Sequence, residues 1–148
     1  KLLGNRFGDA GSFEQGVAVV KKTMAELGIE GIELEDGSGL SKKDRASPAQ
    51  IVLLLRKVRE HRWGDAFLAS LAVGGDSVGT LRKRMKSKEL AGKVRAKSGH
   101  LEGINALSGY LDTASGDTVI FSILANDAGA GYRVERFQEE LLKRLVAR

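Results

Sequence analysis

The apolar residues of this chain change period once, near Val94, and that change limits the folds open to it. Before it, they recur at spacings of three and four. Phe13, Val17, Val20, Met24 and Leu27 fall on one face of a helix that Ser12 opens, with Gln15 three residues on, and that Gly28 stops. Ser47-Pro48-Ala49-Gln50 repeats the start signal, with Ile51, Leu54, Leu55 and Val58 along one side of a helix ending near His61. A shorter helix is predicted from Asp65 to Leu71, then glycine-broken, basic chain to about Gly92. After Val94 the period is two. Val94 to Ser98, Ile104 to Leu111 and Thr118 to Ala125 read as strands, with Ser115-Gly116 turning between the last two. Val119 to Leu124 is apolar on both faces, which predicts a central strand covered by helices on both sides. Val134, Phe137, Leu141 and Leu145 close the chain with one amphipathic helix. The class is α+β, an antiparallel sheet flanked by helices. Three strands are few for a chain of 148 residues, so the sheet is expected to continue in chain not present here.

Composition removes several functions. There is no cysteine, hence no disulfide framework, thiolate metal site or cysteine nucleophile. No apolar run approaches the ~18 residues that span a bilayer, so no transmembrane segment is expected. His61 and His100 are too far apart in sequence for a helical metal pair, and no metal or cofactor is expected. Gly-Lys-[Ser/Thr] and Gly-x-Gly-x-x-Gly after a strand are both missing. Glu139-Glu140 lies on a helix flank and makes a poor catalytic pair.

Net charge is +5. Arg82, Lys83, Arg84, Lys86, Lys88, Lys93, Arg95 and Lys97 are opposed only by Glu89. Such a stripe suits a polyanion, nucleic acid or an anionic cell-wall polymer. A solvated basic loop is the plainer reading, because no aromatic residues interleave to stack bases.

The residues most suggestive of chemistry are Lys97-Ser98-Gly99, at the end of a predicted strand and followed by His100-Leu101. The arrangement offers an ammonium, a hydroxyl beside it and a glycine that lets a substrate backbone approach. A strand edge of this kind can bind an extended peptide.

Four segments recur in one order: Asp36-Gly37-Ser38-Gly39-Leu40-Ser41, Gly75 to Arg84, Val94 to Leu101, and Ala106-Leu107-Ser108-Gly109-Tyr110. Together they resemble the D-alanyl-D-alanine carboxypeptidases/endopeptidases of the penicillin-binding protein 4 type, from near Gly4 to the last helix. The resemblance implies a β-lactamase/transpeptidase-like fold, incomplete in this chain. It implies a serine DD-peptidase that cleaves peptidoglycan stem peptides through an acyl-serine and binds β-lactams, outside the cytoplasm, in the periplasm or at the membrane. Such enzymes carry Ser-x-x-Lys, Ser-x-Asn and Lys-Thr-Gly. Only the third has a counterpart here, Lys97-Ser98-Gly99, since no serine has lysine three residues later or asparagine two later. Residues 1–148 are therefore expected to be the C-terminal part of the penicillin-binding domain, partnered by an upstream part with the nucleophile and inactive alone.

By the same resemblance, Lys97 is the catalytic lysine, an electrostatic and proton-relay group. Ser98 keeps the hydroxyl that binds the substrate's terminal carboxylate, and Gly99 allows close approach. His100 stands where the family usually has Thr, its N–H an oxyanion donor. Ser38, Gly39 and Leu40 border the substrate pocket, Lys42 lies near the side chain of the cross-linking diamino acid, and Leu101 lines the same wall. On the residues alone, 36–41 is equally a turn, Lys42 a surface lysine and Leu101 a core residue. Two other functions stay open: a peptidoglycan-binding module that has lost catalysis, and a basic nucleic-acid-binding domain.

Overall fold

The computed structural model describes residues 1–148. Two compact units divide the chain, Lys1–Leu54 and Leu55–Arg148.

In the first unit, α1 (Leu2–Phe7) and α2 (Phe13–Glu26) pack on each other. The expected cap is present, for Ser12 Oγ accepts the Gln15 N–H at 3.1 Å. Gly28 has φ +74°, the left-handed turn that ends a helix and that glycine adopts without a Cβ penalty. The apolar face of α2 is only half-buried at Val17, Val20, Met24 and Leu27, and Phe13 is exposed. A bridge between Glu33 and Arg45 follows. α3 (Pro48–Glu60) begins on a complete capping box, with Ser47 Oγ accepting from Gln50 N and Gln50 Oε1 from Ser47 N.

The second unit holds α4 (Gly64–Ser70), β1 (Ala72–Val73), β2 (Val94–Leu101), β3 (Ile104–Asp112), β4 (Thr118–Asn126) and α5 (Gly131–Val146). The sheet is antiparallel in the order β1-β2-β3-β4. β1 was not expected from sequence, because two residues are too few to show alternation. Its signal is Leu71-Ala72-Val73 ahead of Gly74-Gly75. Leu107, Leu111, Val94 and Ala96 supply the sheet's half of the core, and Leu142 and Val146 the helix's half.

Two expectations are corrected. Within this chain β4 is an edge strand: it pairs only with β3, with Phe121 buried and Val119, Ile120, Ile123 and Leu124 half-buried. An apolar run records what a strand is built to be covered by, not which neighbours this stretch of chain supplies. The buried face of α5 is Val134, Gln138, Leu142 and Val146, whereas Phe137 is 61% exposed and Leu141 and Leu145 are half-buried. At Gln138 the carboxamide oxygen is met by Arg84: Arg84 Nη2 donates to Gln138 Oε1 at 2.9 Å, while its guanidinium lies 3.4 Å from Glu139 and 3.7 Å from Glu135. The pairing offsets the cost of burying Oε1, although Nε2 is buried without a partner, and Arg84 lies 54 residues away. That pairing also takes Arg84 out of the basic stripe. The segment around it is anchored by Leu81, Met85 and Leu90, all buried, which favours a core-pinned surface loop over a nucleic-acid face.

Candidate active site

β2 carries Lys97, Ser98, Gly99, His100 and Leu101, and one geometric fact orients them. Val94 O accepts from Gly74 N at 2.9 Å on the β1 side, while Lys93 O accepts from Asp112 N at 3.0 Å on the β3 side. Backbone groups alternate along a strand, so the N–H and C=O of Ala96, Ser98 and His100 face the same edge as those of Val94. β1 ends opposite Arg95 and Ala96. From Lys97 onward that edge is open, with the Ser98 and His100 backbone groups on it.

Side chains alternate in the other sense. Val94, Ala96, Ser98 and His100 lie on the face that holds the core; Lys97, Gly99 and Leu101 lie on the opposite one. Lys97 is exposed and its Nζ donates to the Ser98 carbonyl, which places the ammonium at the open edge. Ser98 and Leu101 are half-buried, so Leu101 is not a core residue. A Cβ on Gly99 would meet only Ala106 Cβ, at 3.3 Å. Adjustment by a few tenths of an ångström would accommodate it, so the fold does not demand glycine there. Its counterpart in the neighbouring strand differs. A Cβ on Gly109 would lie 2.1 Å from Arg95 O and 2.6 Å from Ala96 Cα, and that glycine is demanded by strand packing.

Residues 36–42 belong to the other unit and form a loop that hydrogen-bonds to itself. Asp36 Oδ1 accepts from both N–H and Oγ of Ser38 at 2.8 Å, and Ser38 Oγ accepts from Leu40 N at 3.0 Å. Gly39, at φ +74°, takes the left-handed turn between them. Leu40 projects 69% exposed, and the Lys42 carbonyl accepts from Arg45 Nη1 at 2.5 Å. The Ser38 hydroxyl is thus occupied in holding the turn. Those two bonds from Ser38 hold the Asp36 carboxyl below its ordinary range, the backbone N–H contributing most. Glu35 is lowered likewise by Lys43 and Ser41. The sign follows: a lowered folded pKa means stabilisation present above the unfolded value and lost as pH falls through the folded one. An NMR titration followed at the Ser38 amide is expected to show its midpoint below about 3.9, the model-peptide value for Asp. A midpoint at or above that value would mean the turn does not hold the ionised form.

No three His, Asp or Glu side chains gather as a metal site, and no helix is long and apolar enough to cross a membrane.

The chain as a whole has counterparts among known proteins. The D-Ala-D-Ala carboxypeptidase 3 (S13) family matches residues 1–146. The chain belongs to this family. A D-alanyl-D-alanine carboxypeptidase from an Actinomadura species is 36% identical over 132 residues, covering 85% of this chain and 24% of that protein. The crystal structure of penicillin binding protein 4 from Haemophilus influenzae superposes with a TM-score of 0.89 at 25% identity, covering 99% of this chain and 35% of that one. A TLA-1 extended-spectrum β-lactamase shares the fold, with a TM-score of 0.70 at 18% identity, over 96% of this chain and 55% of its own. The fold of this carboxypeptidase-family chain is therefore penicillin-binding-protein and β-lactamase-like. The chain spans about a quarter of the length of the curated relative and about a third of the solved penicillin-binding protein.

Proposed function

We propose that this chain is the C-terminal part of the penicillin-binding domain of a serine DD-peptidase. The enzyme acts outside the cytoplasm on peptidoglycan stem peptides, as carboxypeptidase, endopeptidase or both, and binds β-lactams. The observation that carries the reading is the open edge of β2 beyond Ala96, with the Lys97 ammonium beside it. A peptide laid along that edge exchanges main-chain hydrogen bonds with Ser98 and His100 as an added strand. The His100 N–H then meets the scissile carbonyl oxygen, where negative charge develops during attack. The attacking hydroxyl belongs to a serine supplied by the rest of the protein. It forms an ester with the penultimate residue while the terminal amine takes a proton and leaves, and water then cleaves the ester. Lys97 holds positive charge where the carboxylate and the proton in transit need it. Ser98 offers its hydroxyl to the terminal carboxylate, Gly99 leaves the edge clear, and Leu101 is an apolar wall on the Lys97 face. Ser38, Gly39, Leu40 and Lys42 are assigned to substrate contact on resemblance alone, Lys42 toward the diamino acid.

The test is labelling of the full-length protein with a reporter penicillin, followed by peptide mapping. The label is expected on one serine outside residues 1–148. A label on any serine within them overturns the assignment of the nucleophile. A folded protein that takes no label, yet binds peptidoglycan, identifies the fold as a binding module that has lost catalysis.

A further inference from the structure

The structure gives the ring of His100 a dedicated seat. His100 and Asn105 are register partners across β2 and β3. Because the His100 backbone faces the open edge, the two form a non-hydrogen-bonded pair, the kind in which side chains come closest. Nδ1 of His100 lies 3.1 Å from Oδ1 of Asn105, and Asn105 is buried at 7% exposure. Beside both the ring and the carboxamide stands Gly131, the first residue of α5. A Cβ there would come within 3.2 Å of His100 Cε1 and 3.3 Å of Asn105 Nδ2. The imidazole is thus bonded to a carboxamide, and both lie close to a helix start that has no side chain. Facing an acceptor, Nδ1 carries the hydrogen, and Nε2 has no partner in the protein.

We infer that Asn105 is a positioning residue that acts through the His100 ring to hold the His100 N–H at the open edge. This rests on the reading of that N–H as the oxyanion donor. Asn105 lies on the core face of the sheet and the N–H on its edge, so the carboxamide cannot itself be the donor. Its influence passes through the ring and Cα of His100. Misplacing such a donor weakens binding of the transition state and leaves binding of the ground state.

The experiment uses the full-length protein with a DD-peptide substrate and a reporter penicillin, in the variants Asn105→Leu, Asn105→Asp, Gly131→Ala and Lys97→Ala. Asn105→Leu is expected to lower kcat about tenfold with KM changed less than about twofold, and to abolish the hydrogen-bonded Nδ1–H signal of His100 in nitrogen-15 spectra. Asn105→Asp keeps the acceptor and is expected to restore both. Gly131→Ala keeps the Asn105 side chain but crowds both it and the ring, so it repeats the kcat loss and replaces Asn105→Leu if that variant does not fold. Unchanged kcat in a folded Asn105→Leu or Gly131→Ala, or equal loss in Asn105→Asp and Asn105→Leu, overturns the inference. The Lys97→Ala arm separates the two levels. If it acylates normally, the reading of the whole site falls; if it does not and Asn105→Leu turns over normally, only the role of Asn105 falls.

Discussion

Replacing Lys97 with alanine in the full-length protein is expected to lower the rate of penicillin acylation at least about a hundredfold, the loss typical of removing one electrostatic group aimed at developing charge. The fold should not change. Lys97 is exposed, contributes nothing to the buried core and bonds through its Nζ to the carbonyl of the next residue. Substitutions at such surface positions usually move stability by less than about 0.5 kcal/mol. Activity and stability therefore separate cleanly at this residue. Lys97→Arg is expected to recover little, because a planar guanidinium cannot replace a compact ammonium at a fixed point. The measurement is the second-order acylation rate beside the urea midpoint of the same preparation. Normal acylation in Lys97→Ala would remove Lys97 from the mechanism. A lowered midpoint that matches the lost rate would show that it had only been holding the strand.

The parts of this fold legible in the sequence were those whose physics is local. Ser12 and Ser47 announce their helices because a cap needs only a hydroxyl and an amide three residues on, and both bonds form. The strands from Val94 onward are visible because alternation is a property of a single run. What escaped was set by partners far along the chain. Phe137 fits the helical spacing as well as Gln138 does, and only Arg84 makes the glutamine the buried one. β4 reads as central because hydrophobicity records burial on two faces and says nothing about which strand lies alongside. The site divides the same way. Lys97-Ser98-Gly99 stands out as a motif, but the openness of its edge depends on β1 beginning only at Ala72, opposite Ala96, which no local pattern encodes. The seat of His100 depends on a cross-strand asparagine and on a glycine that begins another helix.

Gly99 and Gly109 look alike in the sequence, each the glycine of a recognisable segment, and the structure predicts opposite outcomes for them. A methyl group on Gly109 would overlap the Arg95 carbonyl and the Ala96 Cα, and both are backbone atoms that no rotamer change can move. The conflict can be relieved only by splaying β2 from β3, at the centre of the sheet and beside Leu107 and Leu111, both buried. Overpacking of a well-packed interior typically costs about 1–3 kcal/mol. With backbone on both sides of the clash, Gly109→Ala is expected at or above the top of that range. Gly37 provides the control, since nothing lies within 4 Å of its Cβ position and its φ is not left-handed. Gly37→Ala should fall within about 0.5 kcal/mol of the parent. Gly99→Ala should likewise fold, meeting only the methyl of Ala106, while losing turnover because the added group stands beside the path of an incoming peptide. Urea midpoints for the three variants decide the matter. If Gly109→Ala is as stable as Gly37→Ala, close approach of β2 to β3 does not demand the glycine. If Gly99→Ala keeps full turnover, the glycine of the Lys-Ser-Gly strand is not there to admit a substrate.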